Sequence, residues 1–362
     1  MSIALSGCVV ALTACTRTNT TSATEGQSAV VAVSEIQIKR DLVGSQPLPK
    51  AIELAVVRQT QHSDASRLKY PTSLALSDDG DVYISDNNGD AIFHTTSALN
   101  LLTRLPADEG HLVYPNTIQV SQNRILISDS DGIKVFDRNG AFQRLLRIYY
   151  TVFDFALDSA GNIFANPIFT APKESDSLLV RLNEDGMRIG GLGTRMNRAE
   201  HEGLDDRTYI RAVDNLVIAA FKHRSSVQIY SSKTGDLLRE INVDHPAFPG
   251  LARLEEDPKF VNPKKGVVRL PVYIGGVDVT ANKIFVLLCL PQPEIVEFSL
   301  QGKETDRYRA ESSISAQSYF GFRARSTGNV RQFTVGMMDS YHSPVLMVLS
   351  SDAKKYRRKE DS

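Results

Sequence analysis

Short apolar or alternating runs recur along the chain in a fixed order, separated by turn residues, and each run has the length and period-2 character of a β-strand. The first group is Pro71 to Leu76, Asp81 to Asp86 and Ala91 to Thr95. A second is Thr117 to Val120, Arg124 to Asp129 and Ile133 to Asp137, and a third is Asp154 to Asp158, Gly161 to Asn166 and Leu178 to Leu182. The fourth is Thr208 to Ala212, Asn215 to Ala220 and Val227 to Ser231; the fifth is Gly276 to Thr280, Lys283 to Leu288 and Ile295 to Ser299. Asp78-Asp79-Gly80, Gln122-Asn123 and Ser159-Ala160-Gly161 separate first from second strands, where a tight hairpin needs positive φ. Arg138-Asn139-Gly140, Glu184-Asp185-Gly186, Lys233-Thr234-Gly235 and Gln301-Gly302-Lys303 lead from the third into a fourth. A lone sheet of this size leaves faces and edges exposed, so the units are expected to stack radially.

Phe136-Asp137-Arg138-Asn139-Gly140, followed by Phe155-Ala156-Leu157-Asp158-Ser159-Ala160-Gly161-Asn162-Ile163-Phe164, resembles the repeat of NHL-type six-bladed β-propellers, across residues 71 to 310. The resemblance implies an all-β fold, a six-bladed β-propeller of four-stranded antiparallel blades. Val330 to Met338 and Val345 to Ser350 are strand-like at one end, and Val30 to Lys39 and Ala51 to Thr60 at the other. Closure of the ring by N- and C-terminal strands in one blade is expected, because it hides the edges at the seam. A seventh blade would require Asn242 to Tyr273 to be strands, against which its prolines and charges argue.

Length adds little to this picture, since an all-β ring absorbs 362 residues as one domain, here 30–353. A 42% hydrophobic content supports a core, and a formal charge of −1 removes the footprint of a general nucleic-acid binder. The basic stretch 354–362, with Lys354-Lys355-Tyr356-Arg357-Arg358-Lys359, reads as a solvated tail.

Met1 to Ala14 carries no charge, and Leu12-Thr13-Ala14-Cys15 matches the bacterial lipobox. Residues 1–14 are therefore expected to be a lipoprotein signal peptide, Cys15 the lipidation site, and the Ser/Thr-rich 15–29 a flexible tether. Leu5-Ser6-Gly7-Cys8 fits the same pattern, and the alternative is an ordinary secretory signal or a chance apolar start. The expected location is the bacterial cell envelope, with the membrane met only through a lipid. Cys289, inside Val286-Leu287-Leu288-Cys289-Leu290, reads as a buried apolar residue.

In a propeller the loops from second to third strands share a rim with those leading into the next unit, and here they are the long ones. That rim is expected to bind through Asp86, Asn88, His111, Asp129, Asn166, His201, His223 and His245. Asp86 and Asp129 both end an Ile-Ser-Asp run, with Asn166 in the matching place; they could ligate a cation or cap the following turn. The histidines could serve a metal-dependent enzyme, yet none has a partner at recognised ligand spacing beyond the adjacent His201-Glu202 and Asp244-His245, which point apart. Gly190-Gly191-Leu192-Gly193 lacks the Lys-Ser/Thr of a phosphate loop and reads as a turn. The expected function is a scaffold for an envelope protein or small ligand, without a cofactor. The alternative is a metal-dependent hydrolase or lyase of the lactonase or amidating-lyase type.

Overall fold

The computed structural model describes residues 49–60, 67–99, 102–105, 112–121, 123–148, 150–168, 176–196, 201, 203–258, 261–262, 264, 267–310, 315–339 and 342–352. Cys15 and Cys8, the Val30 to Lys39 run, His111 and the basic tail lie outside them.

The chain opens with β1 (Ile52–Gln59) and then builds four separate four-stranded antiparallel sheets. The first is β2 (Pro71–Leu76), β3 (Val82–Asp86), β4 (Ala91–Thr95) and β5 (Thr103–Arg104); the second is β6 (Ile118–Ser121), β7 (Arg124–Asp129), β8 (Gly132–Asp137) and β9 (Phe142–Arg147). The third is β10 (Val152–Leu157), β11 (Ile163–Pro167), β12 (Ser177–Leu182) and β13 (Arg188–Thr194). The fourth is β14 (Thr208–Val213), β15 (Leu216–Phe221), β16 (Ser226–Ser231) and β17 (Leu237–Asn242). Within each, strands follow one another in chain order, so every connection is a hairpin that costs little loop entropy.

Among the described residues of 242–273 there is no further blade-like sheet. The segment contains a short helix (Phe248–Ala252), a 3-10 turn (Arg253–Glu256) and a two-stranded ladder of β18 (Val261–Asn262) and β19 (Val267–Val268). Pro249 occupies the first turn of the helix, where its missing N–H costs nothing.

The remaining strands depart from the expected set of separate four-stranded sheets. β20 (Ile274–Thr280), β21 (Lys283–Leu288), β22 (Glu294–Ser299) and β23 (Glu304–Ala310) run into β24 (Ala316–Thr327), β25 (Val330–Asp339) and β26 (Pro344–Ser350) as one eight-stranded sheet. The cause is β1, which takes partners on both sides. Ile52 to Leu54 pair in parallel with Tyr308 to Ala310, whereas Ala55 to Gln59 pair antiparallel with Ser350 to Met347.

The arrangement is all-β and propeller-like. The strands β2, β6, β10, β14, β20 and β24 pack side by side in that order, and β24 returns to β2. Apolar side chains fill the layers between neighbouring sheets, as where Phe164, Phe221 and Tyr230 meet between the third and fourth. Gly193 belongs to β13, so the expected turn at Gly190 to Gly193 is a strand. Two of its glycines serve close packing: a Cβ on Gly191 would strike Ser177, and one on Gly193, at φ +64°, would strike the Tyr230 ring.

Candidate functional site

Asp86 ends β3 with its carboxylate fully buried. It accepts backbone N–H groups from Lys69 (2.6 Å), Tyr70 (3.1 Å) and Gly89 (2.8 Å), tying the strand end to the segment that leads into β2. Burial raises its pKa against these bonds. Asp129 accepts from Val113 and Asp131 and meets Lys134 Nζ at 2.6 Å. Asn166 donates to the carbonyls of Leu178 and Asp206 and accepts from Thr208 N–H. All three spend their oxygens on backbone or Lys134, while Asn88 is exposed in the turn after β3. Among the described residues no group of three or more His, Cys, Asp and Glu side chains could hold a metal ion.

The innermost strands carry a charged cluster that the sequence patterns did not single out. Arg211 on β14 places Nε 3.1 Å from Asp278 on β20 and Nη1 3.5 Å from Asp154 on β10. Asp154 also accepts from the N–H of Ile210, and Asp278 from that of Ala324. Burial pushes Asp154 up to about 6 and raises Asp278, with Arg211 opposing both.

His201 is not isolated as its neighbours in sequence implied. The 3-10 turn Leu204–Asp206 folds Asp205 back, and its Oδ2 lies 2.5 Å from His201 Nδ1, a contact four residues apart that an extended chain could not make. His201 does not line the cavity that two other rim histidines share.

That cavity, of about 720 Å³, opens between the fourth sheet and β23. His223 and Ser225 reach it from the loop after β15, His245, Phe248 and Glu255 from the 243–273 segment, and Tyr273 and Arg307 close it. Val243 N–H donates to Ser225 C=O and Tyr273 N–H to Lys222 C=O, so the three segments are pinned together at the rim. Nδ1 of His223 lies 2.9 Å from the Pro271 carbonyl oxygen, and its Nε2 is buried with no hydrogen-bond partner. Burial holds this imidazole well below the ordinary histidine range, helped by Lys222. His245 Nδ1 accepts from Ala247 N–H, leaving Nε2 towards Glu294 at 3.6 Å. Burial lowers its pKa too, against Glu294.

Phe248 stands edge-on to Tyr273, ring centroids 5.1 Å apart, and the Tyr273 hydroxyl donates to Glu255 at 3.3 Å. Arg307 is buried and saturated: it donates to Glu294, Glu304 and the Asp244 carbonyl. The sequence offered only the rim position of His223 and His245 as a signal; their shared cavity with Glu255, Tyr273 and Arg307 joins segments far apart in the chain.

The chain matches no protein-family model and no curated protein sequence. It is similar in structure to a candidate exported protein from Bacteroides fragilis (TM-score 0.53, 14% identity, covering 83% of this chain and 99% of that one). It is also similar to regucalcin, a calcium-binding protein from Agrobacterium tumefaciens (TM-score 0.52, 10% identity, 83% and 97%). A luciferin-regenerating enzyme aligns at TM-score 0.50 with 11% identity, over 79% and 92%. At these identities the likeness is one of fold, and it is to propeller-type proteins.

Proposed function

We propose that this chain is a six-bladed binding propeller of the NHL type, tethered to the bacterial envelope by a lipid on Cys15, that holds a small ligand in the cavity beside its fourth sheet. The blade count treats the eight-stranded sheet as two blades fused through β1, with β24, β25, β26 and β1 forming the sixth. In its support, six inner strands pack in a closed cycle and six separate apolar clusters lie between successive groups. The envelope location rests on the Leu12-Thr13-Ala14-Cys15 sequence alone.

The observation that carries the binding reading is the cavity itself. Its volume falls in the usual range for small-molecule sites, and it mixes apolar walls with a few polar groups. The test is a small-molecule screen by calorimetry on the wild-type protein and on Ser225→Phe, which narrows the mouth. A ligand whose binding is lost in the variant supports the reading; hits indifferent to Ser225→Phe sink it. Stoichiometric Ca²⁺ or Zn²⁺ binding would instead favour the metal-dependent hydrolase or lyase. For the tether, Cys15→Ala should move the protein from the membrane fraction to the soluble one, and retention would point to Cys8 or another anchor.

A further inference from the structure

Arg207 and Lys222 face each other where β14 and β15 reach the rim. Thr208 pairs with Phe221, and one step further the Lys222 N–H donates to the Arg207 carbonyl at 2.9 Å. The two side chains therefore leave opposite ladder positions on one face of the sheet, with Cβ atoms about 5 Å apart, where like charges repel. Both converge on one ring. The guanidinium carbon of Arg207 lies 5.8 Å and Lys222 Nζ 5.6 Å from the centroid of Phe153, at the start of β10. The Tyr209 ring joins the group, its centroid 5.6 Å from that of Phe153. All four side chains are half-buried, so the group is reached from solvent.

The charge on Arg207 is not balanced from within the fold. Of the two carboxylates that precede it in the chain, Asp205 is taken by His201, and Asp206 by the Met196 N–H and Arg195. Burial lowers the Arg207 pKa, and among the described residues only the Tyr209 phenol opposes this. Arg211 and Arg307, by contrast, each meet two carboxylates. His223, next after Lys222, adds no third charge, because burial, with Lys222 and Arg207 adding to it, holds its pKa well below the ordinary histidine range. A guanidinium fork without a counter-ion, set beside an ammonium group over one aromatic ring, matches an oxyanion that accepts from both and relieves their repulsion.

We infer that the rim end of β10 and β14 is a second binding site, at which Arg207 and Lys222 hold the carboxylate or phosphate group of a small ligand beside Phe153 and Tyr209. None of these four residues lines the cavity, so the site does not depend on the cavity being occupied. A cationic ligand would meet two like charges, and a neutral one would leave the Arg207 charge uncompensated.

The test titrates inorganic phosphate, benzoate and benzylamine into the full chain by calorimetry, with chloride holding the ionic strength constant so that screening is equal throughout. At least one of the two anions is expected to saturate, and benzylamine is not. Arg207→Met and Lys222→Met should each weaken that anion about tenfold, the size of one charge-assisted hydrogen bond, while Ser225→Phe should leave it unchanged. Each Met variant removes one member of an opposed like-charge pair, so its unfolding midpoint without anion should be no lower than that of wild type. Arg207→Lys keeps the charge and loses the fork; it should weaken binding less than Arg207→Met, and it replaces that variant if Arg207→Met does not fold. Saturation by phosphate alone assigns a phosphate ligand, and by benzoate alone a carboxylate. The inference is overturned if neither anion saturates, if affinity is unchanged in both Arg207→Met and Lys222→Met, or if benzylamine binds as well. Loss in Ser225→Phe but not in Arg207→Met also overturns it and moves the anion to the cavity.

Discussion

Arg211 Nε donates to Asp278 Oδ1 at 3.1 Å, across the gap between β14 and β20. The same guanidinium reaches Asp154 on β10, so one cation serves the buried Asp154 and the half-buried Asp278 across three successive inner strands. Removing it in Arg211→Met would leave both carboxylates without their cation, Asp154 away from water. The expected loss is about 3–5 kcal/mol of unfolding free energy. Urea titration measures it, and adding Asp154→Asn and Asp278→Asn to Arg211→Met should restore much of the loss. A single variant as stable as wild type would show that the cluster contributes nothing to the ring.

The raised pKa of Asp154 gives this cluster a pH signature. Its folded value is about 6 against 3.8 for the free group, so between these values the folded state holds more protons than the unfolded chain. Stability from this group therefore falls as pH rises from about 4 to about 6, by at most about 3 kcal/mol. His223 acts in the other direction. Its folded pKa lies well below 6.5, so its contribution is present above 6.5 and is lost as pH falls. Urea midpoints from pH 4 to 7 should show Asp154→Asn gaining on wild type towards pH 7; parallel curves would contradict the assignment.

Asp86 separates a structural role from a metal-binding one. Its three backbone donors would be left without their acceptor in Asp86→Ala, and the expected cost is about 2–4 kcal/mol. Asp86→Asn should lose less, since one carboxamide oxygen still accepts. Differential scanning calorimetry with and without Ca²⁺ checks this: destabilisation that appears only when Ca²⁺ is present would make Asp86 a ligand.

The strands that lie deepest were the easiest to read. β3, β7, β11, β15 and β21 are almost wholly buried, and each apolar run follows a short turn that contains Gly or Asn, at Gly80, Asn123, Gly161, Asn215 and Asn282. β13 was missed because Gly190, Gly191 and Gly193 imitate a loop, although close packing against Ser177 and Tyr230 requires the second and third of them. β24 was missed because Arg323 and Arg325 interrupt its apolar pattern; Arg323 is buried and turns to Gln119 and the Ile118 carbonyl, while Arg325 reaches the 78–79 turn. The cavity was illegible for a different reason. Its walls come from Pro49, His223, the 243–255 segment, Tyr273 and Arg307, and no local pattern reports which distant segments a ring will bring together.

β1 divides its pairing between two partners, and this makes a graded truncation informative. Ile52 to Leu54 cover the edge of β23, and Ala55 to Gln59 cover that of β26, with the register shifting between Val56 and Arg58. Leu54 is 1% exposed and packs in the cluster that contains Phe285, Phe322 and Phe333. Removing residues 1–48 leaves these β1 contacts in place, so that variant is the reference for the deeper truncation. Removing 1–60 strips both edges at once, and two unpaired strand edges invite association with other chains. That variant should unfold at a lower temperature with reduced cooperativity and self-associate as its concentration rises, which calorimetry and analytical ultracentrifugation will detect. Leu54→Ala provides the milder version, with an expected loss of about 2–4 kcal/mol and an intact ladder. If 1–60 can be removed without effect, β1 only decorates the seam, and the last two groups of strands are held together by β20 against β24 and by the apolar cluster of Phe285, Tyr308, Phe322 and Phe333.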